Sequence, residues 1–217
     1  EKPSLLATDP PDHTRYRRLV TGVFTMRAVE RLRARTEQIA HQLLDQIEAD
    51  AGRTVDLVEA YCAPLPVTVI AEILGVDPAD HASVLAYGTA AAPSLDMGLT
   101  WRQHRDVDRG LQAFDAWLQQ HLDRLRREPG DNLMSELVAA HDEHGGLDDR
   151  ELRATAGLVL AAGFETTVNL LGNAVALLDT HRTQRDRLVA GTDVWGGSWA
   201  NAVEEVLRYD PPVLMTG

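Results

Sequence analysis

The chain has 217 residues, enough for one large domain or two small ones, with an ordinary globular composition of 44% hydrophobic and 25% charged residues. A formal net charge of -12 argues against a nucleic-acid partner, because phosphate binding needs a basic face. A single cysteine, Cys62, excludes an internal disulfide framework and a CxxC metal or redox motif. The first residues lack the basic-then-apolar layout of a signal peptide, so we expect a cytoplasmic protein.

The first half of the chain predicts three helices and a short extended run. Two prolines and an acid before "HTRYRRLVTGVF" are a helix-start signature. Thr25 then caps a longer amphipathic helix that continues through Ile47. The β-branched residues of "GRTVDL" are compatible with a single strand, and "VTVIAEILGV" predicts a third helix that ends at Gly75.

Further helices are predicted in the rest of the chain. One covers His81 to Ala92 and stops at the turn-rich loop "PSLDMG". A charged amphipathic helix starts at "TWRQ" and ends at Pro129 and Gly130, and a short one spans "NLMSELVAAHDE". The longest helix runs from "LDDRE" to "LLDTH", and two short helices follow it. Without an internal repeat or low-complexity tract, the chain is predicted to be one mainly α assembly.

The longest helix carries a single ionisable residue, Glu165, between Ala154 and Leu178. A transmembrane helix would pay roughly 2.5 to 3.5 kcal/mol for a central acid, so a membrane span is disfavoured. The simplest alternative is a core helix of a globular protein, with Glu165 paired to an arginine elsewhere.

A polar stripe on the same helix offers a second interpretation. Ala162, Thr166, Asn169 and Asn173 share one helical face, with Leu158 a turn earlier. Unpaired buried polar groups cost about 1 to 3 kcal/mol each, so this stripe should face a cavity or a polar ligand. Thr166 can also bond back to the carbonyl of Ala162 and bend the helix. The residues alone leave a plain core helix and a proton-delivery site beside a planar cofactor equally open.

Three stretches together resemble a known family. "AAGFETT" resembles the oxygen-binding segment in the central helix of the cytochrome P-450 (haem-thiolate monooxygenase) superfamily. "DPPDHTRYRRLVTGVFT" resembles the helix that contacts the haem propionates in bacterial members, and "AVEEVLRYDPPV" resembles the helix that carries Glu-x-x-Arg. Glu-x-x-Arg alone is weak, because Glu30 and Arg33 form a second such pair. The order of all three identifies the chain as resembling a soluble bacterial member over essentially its whole length.

The resemblance implies roles for individual residues. His13 and Arg17 would bind haem propionates, and Glu165 and Thr166 would relay protons during oxygen activation. The other implied positions are the oxygen groove at Ala162 and Gly163, the substrate pocket at Leu158, Ala161 and Val213, and the structural pair Glu205 and Arg208. The "PSLDMG" loop matches the mobile cover over the substrate entrance.

The implied fold is the internal helical portion of the cytochrome P-450 fold, as a single partial domain over residues 1–217. The N-terminal sheet region and the C-terminal haem-ligand region would be absent. The cofactor would be haem b (iron protoporphyrin IX), with its axial cysteine outside this chain. Cys62, in "EAYCAPLPV", is expected to be a small buried apolar residue. We therefore expect an internal piece of a longer enzyme that is inactive and a poor fold alone.

The implied function is that of a bacterial oxidoreductase of secondary metabolism. It would insert one oxygen atom of dioxygen into a mid-sized apolar metabolite, by hydroxylation or epoxidation. Electrons would come from a ferredoxin and an NAD(P)H-dependent reductase. The basic cluster Arg15, Arg17 and Arg18 is either a docking site for such an acidic donor or a solvated helix face. Neither nucleic acid nor a membrane is an expected partner.

Two other classes of function remain open from the sequence. The first is a haem-free P-450-like helper protein that binds and activates a partner enzyme, and a cysteine in a downstream Gly-rich loop would argue against it. The presence of the propionate-binding and proton-relay residues favours the enzyme, because a haem-free relative has no chemical need for them. The second is a metal site at His141 and His144, which are spaced by three but have no further ligand nearby. No metal-ligand set is predicted.

Overall fold

The computed structural model describes residues 5, 8–23, 25–49, 52–91, 99–144, 148–191 and 198–213. Within these ranges the chain forms nine α-helices, with a π-helical turn at Val58–Cys62 and a 3-10 turn at Pro78–Asp80. The helices are α1 Asp12–Val23, α2 Met26–Ala49, α3 Pro64–Ile73, α4 His81–Ala91, α5 Trp101–Arg127, α6 Leu133–His144, α7 Asp149–Thr180, α8 Arg182–Ala190 and α9 Trp199–Tyr209. The mainly α prediction is confirmed, and the "PSLDMG" loop lies outside the described residues.

Local capping chemistry explains where several helices begin and end. Thr100 caps α5 and Asp148 caps α7, each in a reciprocal capping box with the residue three positions later. The Ser198 hydroxyl accepts a hydrogen bond from the Asn201 amide at the start of α9. Gly75, with φ of +66°, ends the α3 segment in the left-handed conformation. These boundaries follow from single residues, which is why the sequence predicts them well.

The single strand considered at "GRTVDL" is wrong. Within the described residues none is in a strand, and the chain there passes directly into the π-helical turn. The Asp56 carboxylate accepts hydrogen bonds from the backbone amides of Val58 at 2.9 Å and Glu59 at 3.2 Å. Asp56 therefore starts a helical turn and overrides the β preference of the two residues before it.

The core lies where α3, α4, α5 and α6 pack around the first half of α7. Its members are buried and almost all aliphatic: Tyr16, Ile70, Ala71, Leu74, Val76, Val84, Leu118, Leu122, Leu125, Leu133, Met134, Leu137, Val138, Leu152, Ala156 and Leu160. Cys62 is also buried, with 1% of its surface exposed, as expected for a small apolar residue. This packing places the central helix at the middle of the bundle.

A buried histidine joins α5 to the end of α3. The His121 ring is 3% exposed, and its Nε2 lies 2.7 Å from the carbonyl oxygen of Leu74. Its Nδ1 lies 3.0 Å from the Arg124 guanidinium, and its ring stacks on Trp117 at 5.1 Å. Burial lowers the pKa of His121, so the neutral ring is favoured, with Nε2 donating to Leu74 and Nδ1 accepting from Arg124.

The α7 helix is long and apolar enough, by length and composition alone, to cross a membrane. In the structure it contacts α3, α4, α5, α6, α8 and α9. These contacts are those of the central helix in a helical bundle.

Candidate functional site

Burial along α7 changes abruptly at the predicted oxygen-binding segment. Leu152, Ala156 and Leu160 are at most 3% exposed. From Ala162 to Thr180, by contrast, every residue whose side chain the structure describes is partly or fully exposed. Burial in the core of the described residues therefore ends near Leu160. The second half of α7 instead presents an open face.

The polar stripe lies on this open face. Ala162 and Asn169 are exposed, and Thr166 and Asn173 are half-buried. The Thr166 hydroxyl donates a hydrogen bond to the Ala162 carbonyl at 2.7 Å. Thr36 and Thr180 make the same type of bond elsewhere, so the bond alone is not a signature of chemistry. Thr36 and Thr180 also stand beside an acid, so Thr166 is singled out only by its position in the "AAGFETT" segment.

No arginine pairs with Glu165 among the residues that the structure describes. Glu165 is half-buried, and within the described part of the chain it makes neither an ion pair nor a side-chain hydrogen bond. A carboxylate with this exposure is accessible to water and to a bound ligand. The described residues therefore do not supply the pairing that the core-helix interpretation requires, and the proton-delivery role stays a prediction.

Gly163 lies a third of a turn away from the stripe, on the buried face that continues from Leu152, Ala156 and Leu160. A Cβ atom at position 163 would lie 2.8 Å from Cδ1 of Ile70 on α3. The structure thus gives a packing reason for this glycine. A side chain here would require the Ile70 methyl group to move or the two helices to separate.

The other predicted site residues are spread over three elements. On α1, His13 is half-buried and Arg17 is exposed, and neither side chain has a hydrogen-bonding or ionic partner among the described residues. Leu158 is half-buried on α7, and Val213 is 47% exposed after α9. The Ala161 side chain, like those of His141 and His144, lies outside what the structure describes.

The Glu205–Arg208 pair is formed within α9. Two hydrogen bonds of 2.7 Å join Arg208 Nε to Glu205 Oε2 and Arg208 Nη2 to Glu205 Oε1. These bonds lower the pKa of Glu205 and raise that of Arg208. Both side chains are more than half exposed, so the pair is a preformed fork at the surface of the described residues. The carbonyl of Asp210, at the end of α9, accepts a bond from Asn173 on the polar stripe at 3.3 Å.

A cleft of about 430 Å³ lies between the end of α7, α8 and α9. Leucines of α7 and α8 form part of its wall, and Glu205, Val206 and Tyr209 line the α9 side. None of the predicted substrate-pocket residues lines it. This cleft is therefore distinct from the pocket that the resemblance implies.

Sequence reasoning missed a cluster that joins α1 to the start of α7. Glu151 Oε1 accepts hydrogen bonds from Arg15 Nη2 at 2.6 Å and from the Tyr16 hydroxyl at 2.5 Å. Its other oxygen, Oε2, accepts from the Asp148 amide at 2.7 Å. We call these four residues, Arg15, Tyr16, Asp148 and Glu151, the Glu151 clamp. The D-x-x-E capping pattern was readable in the sequence, but the long-range contacts to α1 were not.

The clamp carboxylate is held in its ionised form. Burial alone would raise the pKa of Glu151, but hydrogen bonds from Arg15, Tyr16 and the Asp148 amide outweigh it and lower the pKa. The bond to Glu151 also raises the pKa of the Tyr16 hydroxyl. Since Arg15 is engaged in this structural pair, it is not an independent member of a docking surface.

The clamp also relates the α1 residues to the α7 site. His13 and Arg17 belong to the helix that the clamp fixes to the first turn of α7. Glu151 precedes Glu165 by about 21 Å along the helix axis, at about 1.5 Å per residue. One rigid helix therefore connects the anchored end with the open polar face.

Comparisons with known proteins give one consistent answer. The family model described as cytochrome P-450 matches residues 88–194. A Mycobacterium tuberculosis protein that carries the name cytochrome P-450 140 is 52% identical over 219 residues, covering 99% of this chain and 49% of that protein. The monooxygenase PikC of Streptomyces venezuelae is 38% identical over 211 residues, covering 97% of this chain and 48% of PikC. The chain spans about half the length of the curated relatives it matches.

Solved structures agree. The myxobacterial cytochrome P-450 CYP267B1, in complex with myristic acid, superposes with a TM-score of 0.85 at 33% identity, covering 96% of this chain and 50% of that one. CYP154C4 from Streptomyces sp. W2061 gives a TM-score of 0.83 at 36% identity, covering 95% of this chain and 48% of that one. The described helices are thus the internal helical portion of a haem-enzyme fold. The chain belongs to the cytochrome P-450 family, of bacterial type.

Proposed function

We propose that the protein to which this chain belongs is a haem-dependent monooxygenase. It would place one oxygen atom of dioxygen in an apolar substrate and release the other as water, consuming two electrons and two protons. The observation that carries this proposal is the open face of α7, where Thr166, Glu165 and the small residue Ala162 lie side by side. Residues 1–217 would form a single partial domain of this enzyme.

The residues present fit haem b, iron protoporphyrin IX. The small, exposed side chain of Ala162 leaves the α7 backbone open to a flat group. His13 and Arg17 supply two donors, one turn apart, that suit carboxylates such as the haem propionates. Cys62 does not fit the role of iron ligand, because burial raises the pKa of its thiol and disfavours the thiolate. The axial cysteine would lie outside this chain, so we expect these 217 residues alone to be inactive.

Bound haem would supply the oxygen-activating chemistry, and the chain's own residues would supply protons and positions. The Thr166 hydroxyl hydrogen is held by the Ala162 carbonyl at 2.7 Å, and rotation about χ1 would present it to the open face. Glu165 is accessible to water and would resupply the proton. Gly163 would border the oxygen groove from the packed side. The Glu205–Arg208 fork would stay structural.

Leu158, Ala161 and Val213 would line the substrate pocket. The substrate class we propose is a mid-sized apolar metabolite of bacterial secondary metabolism, oxidised by hydroxylation or epoxidation. In support, similar proteins bear the names polyketide biosynthesis cytochrome P-450 PksS and vitamin D(3) 25-hydroxylase, at 36% and 39% identity. The apolar character of Leu158 and Val213 agrees with such a substrate.

We further propose a ferredoxin-type electron donor with an NAD(P)H-dependent reductase, in the cytoplasm. Arg17 and Arg18 are exposed on α1 of an acidic protein and would attract an acidic donor. Arg15, bound to Glu151, drops out of this surface. Neither nucleic acid nor a membrane enters the proposal.

The test uses the purified protein expressed from its complete gene. Reduction under carbon monoxide should give a thiolate-type Soret shift. Thr166→Ala should then lower product formation about 10-fold or more, with electron consumption retained and hydrogen peroxide released instead. The control is Thr180→Ala, which removes an equivalent back-bond of 2.9 Å to Ala176 at the far end of α7. A folded protein without any haem signal would overturn the proposal in favour of a haem-free helper protein that binds and activates a partner enzyme.

A further inference from the structure

Helix α3 packs against the open segment of α7 where Ile70 meets Gly163. Gly163 follows Leu160 by three positions, and Leu160, Ala156 and Leu152 are spaced by four on one face. These three residues are 0% to 3% exposed, so Gly163 extends the most deeply packed stripe of the helix. Its neighbours Ala162 and Thr166 belong to the open face instead.

Ile70 occupies the space that a side chain at position 163 would need. Its Cδ1 and Cγ1 atoms would lie 2.8 Å and 3.4 Å from a Cβ there, and the first distance is below any normal carbon contact. Ile70 is itself 7% exposed and belongs to the core, so its terminal methyl has little free space. The side chain is also β-branched, which restricts its χ1 rotation. The distance between α3 and α7 at this point therefore depends on the contact between the Ile70 methyl group and Gly163.

We propose that Ile70 is a positioning residue for the proposed monooxygenase reaction, acting through Gly163. The inference rests on that proposed function, and it adds a residue on another helix that touches no reacting group. Ile70 determines how closely α7 packs on α3 at the point where Ala162 and Thr166 face outward. A side chain at position 163 would meet the Ile70 methyl group and displace this segment away from α3, which would move Ala162 and Thr166 with it.

A small displacement is enough to matter. Proton transfer needs donor and acceptor within hydrogen-bond distance, and a misplacement of about 1 Å at a reacting centre costs about 100-fold in rate. A shift of α7 away from α3 would carry the Thr166 hydroxyl and the Ala162 carbonyl together. The local 2.7 Å bond would survive, while its position relative to the ligand would change.

The experiment is a double-mutant cycle in the protein expressed from its complete gene. Gly163→Ala introduces the clash, and Ile70→Val removes the Cδ1 atom that causes it. The double variant carries both changes. Gly172→Ala is the matched control, because it adds the same methyl group to the same helix with its closest neighbour, Val58 Cγ2, at an unstrained 4.0 Å.

Two quantities are measured in each variant: the thermal midpoint and the share of electrons recovered in product and not in hydrogen peroxide. Gly163→Ala should lower the midpoint by about 2 to 6 °C and the product share about three- to tenfold. The double variant should regain most of both losses. Gly172→Ala should keep the product share and hold or slightly raise the midpoint.

The outcomes separate the two proposals. A Gly163→Ala variant with the wild-type product share, whatever its midpoint, would overturn the positioning role and leave Ile70 as a packing residue. Failure of Ile70→Val to rescue the product share would also overturn it. If the protein binds no haem, the proposed function fails first, and the midpoint cycle still reports whether the contact exists.

Discussion

The two halves of α7 are held in opposite ways. The first turn is fixed by charge, through the Glu151 clamp to α1 and through ion pairs of Asp149 with Arg126 and of Arg153 with Asp115 on α5. The second half is joined to the residue after α9 by a hydrogen bond from Asn173 to the Asp210 carbonyl, and its polar stripe is accessible. This helix is therefore held by charged contacts at one end and leaves a polar face accessible at the other.

The anchored end also explains a difference in composition. Charged and aromatic side chains that reach other helices fix the first two turns, together with the buried Leu152. The open segment begins with the small residues Ala161, Ala162 and Gly163, which leave its backbone accessible. An apolar stretch of sequence can therefore pack in the core or stay open to a ligand. The exposure of its side chains in the structure distinguishes the two cases.

Removing the clamp carboxylate should give the largest effect on this comparison. Glu151→Ala takes the partner away from Tyr16, Arg15 and the Asp148 amide at once, and should lower the free energy of unfolding by about 2 to 3 kcal/mol. Glu136→Ala is the control, because its 3.3 Å pair with Arg31 also joins two helices but is exposed. That control should cost less than about 1 kcal/mol. Equal losses in urea titrations would show that α7 has no privileged anchor.

A smaller effect is expected from the charge of the clamp alone. The pKa of Glu151 is lower in the folded protein than in the unfolded chain, so its contribution is present above the unfolded pKa and disappears as pH falls through the folded pKa. Glu151→Gln keeps the capping geometry and removes this titration. The free energy of unfolding should therefore fall less steeply in acid for the variant. Parallel pH profiles for the two proteins would contradict a charged clamp.

The smallest effect should come from the open half. The Asn173 bond to Asp210 is long, at 3.3 Å, and accessible to water. Asn173→Ala should change the free energy of unfolding by no more than about 0.5 kcal/mol. A loss as large as that of Glu151→Ala, measured in the same titration, would show that both ends of α7 are anchored alike.

The sequence predicted the helices because their boundaries depend on nearby residues. Asp148 and Thr100 stand directly before the segments they cap, and Gly75 stands directly after one. The strand at "GRTVDL" was wrong because one local competitor, Asp56, supplied hydrogen bonds to a helical turn. Local rules thus account for both the success and the failure.

The site was predictable only in part. "AAGFETT" marks the segment where the open face of α7 begins, and its role in the reaction stays a prediction. Ile70 and Gly163 are 93 positions apart, and Arg15 and Glu151 are separated by 136. No periodicity or spacing rule links residues so distant, so the contact that places α7 and the clamp that anchors it needed the folded structure.

The stack of Trp117 on His121 has an optical consequence. The rings are nearly parallel, at 7° and 5.1 Å, whereas Trp101 and Trp199 are 74% and 53% exposed. A protonated imidazole quenches indole emission by accepting an excited electron, and a neutral one does so far less. Emission from Trp117 would therefore dim when acid charges His121. Trp117 fluorescence would thus report the protonation state of His121, at the point where α5 joins the end of α3.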